Sequence, residues 1–156
     1  MTPNHDRTLF RWSSIYTVGV PQIDEEHQQL FRLAQQTHEA MLDGCAKEVL
    51  SKRVAELIDY TCYHFAHEEQ LMQRAGYPEY PQHRRLHEEL RSRAVRFRER
   101  LESGEITMTI EFMQFLAAWL KRHTTTSDLE IVEYMRRSGA TPDAQHQPAE
   151  QPVRGE

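Results

Sequence analysis

Cysteine is scarce in this 156-residue chain. Cys45 and Cys62 stand alone, without Cys-x-x-Cys spacing, so a disulfide framework finds no support and both read as reduced bystanders of a cytosolic protein. Long apolar runs are missing. No stretch approaches the roughly 18 apolar residues of a membrane span, and the first twenty residues hold no run of signal-peptide length. The expectation is a cytoplasmic protein with no membrane insertion. Strand signals and internal repeats are absent as well. Nor is there an excess of positive charge: the formal net charge is −5, which argues against nucleic acid as a partner. The arginines at 84, 85, 91, 93, 96, 98 and 100 are offset by Glu88, Glu89, Glu99 and Glu102, and read as a solvated helix face.

What the chain does contain is helical periodicity. Its length suits one domain. Residues 1–20 form a mixed arm whose Phe10, Trp12, Ile15 and Tyr16 suit packing across a body. Pro21 opens a helix with Asp24, Glu25 and Glu26 in its first turn, where they complement the helix dipole. Its apolar stripe runs Ile23, His27, Leu30, Ala34, Thr37, Met41, with Phe31 alongside, and Asp43-Gly44 ends it. A second helix spans about 46–75, with Leu50, Val54, Leu57, Thr61, His64, Glu68, Leu71 and Ala75 on one face and Gly76 as its stop. Pro78 and Pro81 mark a turn. The third helix, from near Pro81 to Ser103-Gly104, presents Tyr80, His83, His87, Leu90, Ala94, Phe97 and Leu101. A fourth starts around Thr109 and carries Phe112, Leu116, Trp119 and His123, with Phe115 and Leu120 alongside.

Thr124-Thr125-Thr126 is poor helix material, because threonine is stiff at χ1. Ser127-Asp128-Leu129-Glu130 then resembles a capping box that opens a short last helix to about Arg137. The predicted fold is all-α: an antiparallel up-down-up-down four-helix bundle over residues 1–138. The Pro-, Gln- and Glu-rich tail, 139–156, is expected to be disordered.

Histidine is abundant, with nine in the chain, and each long helix places at least one on its core stripe. A single stripe histidine is usually an ordinary core residue. Five of them facing inward together with Glu68 make a costly core unless something binds there. A metal centre satisfies the whole set, since neutral imidazole ligates through one nitrogen while the other donates to a neighbour. Imidazole and carboxylate without thiolate suit iron, zinc, copper or manganese. The ligands are too many for one tetrahedral zinc, so two metals sharing bridging carboxylates fit better. Glu68 is one bridge and Asp128 the candidate for the other. Five residues on an ideal helix turn a side chain about 140° away. For His123 and Asp128 to meet, the helix must bulge or break between them, and the hydroxylated run at 124–127 is suited to a break. His5, His38, His67 and His146 are read as ordinary histidines.

The chain resembles the bacterial hemerythrins. The resemblance covers roughly residues 10–135 and lies in Val18-Gly19-Val20 with Ile23-Asp24-Glu25-Glu26-His27, in His64-Phe65-Ala66-His67-Glu68-Glu69-Gln70-Leu71-Met72, in Tyr77-Pro78 with His83 and His87, and in Trp119-Leu120 with His123 and Asp128. It implies two non-haem iron ions joined by an oxo or hydroxo group. One iron would take His83, His87 and His123, the other His27 and His64, with Glu68 and Asp128 bridging. Two six-coordinate irons then keep one open position, on the two-histidine iron, for dioxygen. An apolar wall around that position is expected from Leu30, Phe31, Phe65, Met72, Trp119 and Leu120. Relatives usually carry a branched aliphatic residue after the fourth-helix histidine; this chain has Thr124.

The implied function is reversible dioxygen binding for carriage, storage or delivery to an oxygen-using enzyme, by a monomer. Di-iron oxidases typically use Glu-x-x-His pairs, and none occurs here, which favours a binder over an enzyme. The competing readings are a peroxidase, oxidase or nitric oxide enzyme on the same centre, and a sensor.

Overall fold

The computed structural model describes residues 7–104 and 110–139. Five helices account for most of them: α1 (Pro21–Leu42), α2 (Lys47–Ala75), α3 (Tyr80–Glu102), α4 (Ile110–Arg122) and α5 (Asp128–Arg137). No strand occurs among the described residues. α1 to α4 form the antiparallel four-helix bundle, with α2 packed between α1 and α3. The expected tail, apart from its first residue, and the expected start of the fourth helix at Thr109 lie outside the described residues.

Helix ends follow local chemistry. Pro21 sits in the first turn of α1, where no N–H partner is lost. Gly76, at φ +63°, ends α2 in the left-handed region, and the Tyr77 N–H closes back on the Met72 carbonyl at 2.9 Å. Asp24 does more than complement a dipole. Its buried carboxylate accepts from the N–H of Val18 at 2.8 Å and of Gly19 at 3.2 Å, tying the incoming chain to α1.

The main core draws on all four helices of the bundle: Leu30, Phe31 and Ala34 from α1, Leu57 and Phe65 from α2, Leu90 from α3, and Met113, Leu116, Ala117 and Leu120 from α4. Phe10 and Tyr16 of the arm join the same cluster, and Trp12 packs edge-on against Phe31. On α4 the most buried line is Met113, Leu116, Ala117 and Leu120, with Phe112, Phe115 and Trp119 at its flanks.

The expected break after His123 is absent. Residues His123–Ser127 form a π-helical turn that runs without interruption from α4 into α5, and the Asp128 N–H bonds to the His123 carbonyl five residues back. Ser127 has helical torsions and caps nothing, so the capping-box reading is corrected. A wide turn keeps the backbone hydrogen-bonded through the insertion, and no new helix start has to be capped. The threonine hydroxyls lie along this turn: Thr124 donates to the Leu120 carbonyl at 2.8 Å and Thr125 to the Lys121 carbonyl at 2.7 Å.

Candidate metal centre

Four-residue spacing puts His64 above Glu68 on α2 and His83 above His87 on α3. α1 supplies His27 to the same level of the bundle. The π turn brings His123 and Asp128, five apart, onto one face, which a regular α-helix would not do. All seven side chains are buried. Their ligating atoms fall into two groups, each within 4.8 Å: Glu68, His83, His87, His123 and Asp128 in one, His27, His64, Glu68 and Asp128 in the other. Both carboxylates belong to both groups.

Asp128 divides its oxygens between them. Oδ1 lies 3.2 Å from His83 Nε2 and 3.1 Å from His123 Nε2, while Oδ2 lies 3.0 Å from His27 Nε2. Glu68 Oε1 stands 3.0 Å from His64 Nε2 and 3.6 Å from His87 Nε2. The Nε2 atoms of His87 and His123 face each other at 3.1 Å. Two neutral imidazoles gain little from pointing lone pairs together, so the arrangement suits a shared cation.

Hydrogen bonding gives a separate test of fit. His64 Nε2, His83 Nε2, both Glu68 oxygens and both Asp128 oxygens are buried without a hydrogen-bond partner. Buried polar atoms are nearly always partnered, and one left unpaired costs about 1–3 kcal/mol, more when charged. Six such atoms converging on one spot fit metal held by nitrogen and oxygen donors.

The surrounding charges point the same way. Burial alone pushes the His64 pKa down, but the Glu68 charge and the hydrogen bond with Glu26 outweigh it and raise it to about 10. Burial and the neighbouring Asp128 push Glu68 up, yet His64 brings it to about 2. Asp128, beside His123, is held well below the usual carboxylate range despite its burial. The carboxylates therefore stay ionised, as ligands must be.

Aromatic rings fix two of the imidazoles. Phe65 stacks on His87 with centroids 3.8 Å apart and planes 3° apart, and Trp119 stacks on His123 at 4.3 Å and 15°. Of the residues expected to wall the open position, Leu30, Phe31, Phe65 and Leu120 share the main core, with Trp119 at its flank. Met72 is fully buried but packs instead with Tyr77, Ile131 and Met135. Thr124 is buried beside His123, its hydroxyl proton already given to a backbone carbonyl.

Three residues take parts that sequence reasoning did not foresee. Glu26, read there only as complementing the helix dipole, is buried and accepts from His64 Nδ1 at 2.8 Å and His67 Nδ1 at 2.6 Å. Burial raises its pKa and the two imidazole contacts more than reverse that, so it is lowered. His67, read as an ordinary histidine, is buried against it. His38, placed off the stripe, is buried edge-on to Phe10. The available signal for the first two was spacing: His67 is three residues past His64, and Glu26 adjoins His27. His5 and His146 lie outside the described residues.

Comparison with known proteins agrees with this geometry. Residues 18–135 match the family model described as the hemerythrin HHE cation binding domain. The bacteriohemerythrin of Stenotrophomonas maltophilia (strain R551-3) is 32% identical over 128 residues, 82% of each chain. That of Pseudomonas aeruginosa (strain LESB58) is 32% identical over 127 residues, 81% of this chain and 82% of its own. Myohemerythrin of Sipunculus nudus is 28% identical over 120 residues, 76% of this chain and 88% of its own. A crystal structure of wild-type hemerythrin superposes with a TM-score of 0.75 at 24% identity, covering 80% of this chain and 95% of the other. With its HHE model matched from residue 18 to 135, and a relative 32% identical over most of both lengths, this chain belongs to the hemerythrin family.

Proposed function

We propose that this chain binds dioxygen reversibly at a pair of non-haem iron ions and serves to carry, store or deliver it. The family is one of iron-containing oxygen binders. The observation that supports the finer reading here is the pair of overlapping ligand groups that share Glu68 and Asp128. In this reading His83, His87 and His123 hold one iron through Nε2, and His27 and His64 hold the other. Glu68 and Asp128, which belong to both ligand groups, would serve both. When bound there, iron would supply the electrons that dioxygen takes up reversibly.

The remaining work belongs to the protein. Five imidazoles and two carboxylates leave the centre with little negative charge, which favours release of the gas over oxidation chemistry. Phe65 and Trp119 hold His87 and His123 at fixed angles. Leu30, Phe31, Phe65 and Leu120, flanked by Trp119, form a dry wall that limits proton access to the bound gas.

Anaerobic loading of the metal-free chain with ferrous iron is the test. Two irons per chain are expected, with a visible charge-transfer band that appears with dioxygen and vanishes under vacuum. Clearly fewer than two irons would undo the reading. Irreversible bleaching with turnover of a reductant would make the chain an oxidase or peroxidase instead.

A further inference from the structure

His64 and His67 are three residues apart on α2, so roughly 60° separates them around the helix axis. His64 points Nε2 at Glu68, in the metal centre, and turns Nδ1 toward the first turn of α1. His67 stands on the adjoining flank of the same helix. Glu26 lies between the two rings, with Oε1 at 2.8 Å from His64 Nδ1 and Oε2 at 2.6 Å from His67 Nδ1. All three side chains are buried.

An ionised carboxylate only accepts hydrogen bonds, so both Nδ1 atoms carry hydrogen. When His64 gives up its second proton to bind metal, that choice of tautomer leaves the Nε2 lone pair facing the centre. A carboxylate held at one oxygen can still swing about its last bond. Held at both, it has one orientation, and the ring bonded to it has one as well.

We propose that His67 is a positioning residue for the metal centre: through Glu26 it locks the ring angle and tautomer of His64, and so sets the affinity of the two-histidine iron. This rests on the di-iron reading above. His67 belongs to neither ligand group of the centre, and its contact with Glu26 is the route by which it acts. The effect is local, because His83, His87 and His123 have no contact with Glu26 among the hydrogen bonds of the described residues.

The test compares the full chain with His67→Leu, His67→Asn and Glu26→Ala. Asparagine places an N–H close to where the histidine Nδ1 stands; leucine places none. Each metal-free chain is titrated anaerobically with ferrous iron against a competing chelator. Helix content and thermal midpoint are recorded to show that the bundle is intact. Nitrogen-15 NMR of the zinc-loaded chains reads the His64 tautomer. His67→Leu is expected to weaken one iron by about 10–100-fold and leave the other in place. It should also blur the His64 Nδ1–H signal, and His67→Asn should recover both. Glu26→Ala is expected to match or exceed the leucine variant.

Wild-type affinity for both irons in His67→Leu overturns the proposal. So does parallel loss of both irons, which marks a merely structural role, or a failure of asparagine to rescue. A wild-type chain that takes fewer than two irons overturns the di-iron reading instead, before any variant is compared.

Discussion

Each ring nitrogen of His64 answers to a different neighbour: Nε2 to Glu68 and Nδ1 to Glu26. Thr124 shows the same economy with a different result. Its hydroxyl proton is spent on the Leu120 carbonyl at 2.8 Å, so the oxygen lone pairs that remain can accept from water but offer dioxygen nothing. Thr124→Ile is therefore expected to slow autoxidation of the oxygenated protein several-fold, read as the decay of its visible band in air. An unchanged rate would remove Thr124 from the account. The inward histidines were legible in the sequence because spacing of three and four repeats on every stripe. Glu26 and His67 were not. Their pairing depends on how α1 is rotated against α2, an angle that no single stripe encodes, and an acid in a first helical turn has an ordinary explanation already.

At the level of elements, the number and order of helices were readable because Pro21, Gly76 and the Pro78–Pro81 turn punctuate strong periodicity. The junction of α4 and α5 was readable only in part. Five-residue spacing between His123 and Asp128 demanded an irregularity, but β-branched residues and a serine-led cap suggested a break. In the fold, hydrogen bonding continues through a π turn, and the threonines serve it by bonding to carbonyls four residues back. The stretch before α1 is the other element on which the centre depends. Asp24 fastens Val18 and Gly19, and three residues later comes His27. Asp24→Ala leaves those two N–H groups without their acceptor and is expected to cost about 1–3 kcal/mol. The measurement is the thermal midpoint of the metal-free chain, which should fall by several degrees. No change would mean that Asp24 is not what anchors the arm.

For the whole molecule, the unfilled centre makes stability depend on pH. In the metal-free chain the His64 pKa stands at about 10 against its ordinary 6.5, because Glu68 and Glu26 overcome the effect of burial. A raised folded pKa contributes stability that is fully present below about 6.5 and is lost as pH rises toward about 10. Glu68, lowered to about 2 from 4.5, contributes above 4.5 and loses that share as pH falls through this window. Metal-free stability should thus be greatest between these limits and decline on the alkaline side, as followed by denaturant unfolding across pH. With iron at His64 Nε2 no proton remains there to be lost, and the alkaline decline is expected to disappear. A metal-free curve that stays flat from pH 6.5 to 10 would contradict the assignment of His64.

The two candidate ligand groups draw on α1, α2, α3, the turn after α4 and the start of α5, so no single piece of the chain would hold a metal pair alone. In the proposed centre iron would act as a clasp closed across residues 27 to 128, and its binding energy would be felt as resistance to unfolding. Protease would cut the stripped chain far sooner than the filled one. The lifetime of the protein would then follow the iron supply around it, with unfilled copies cleared first.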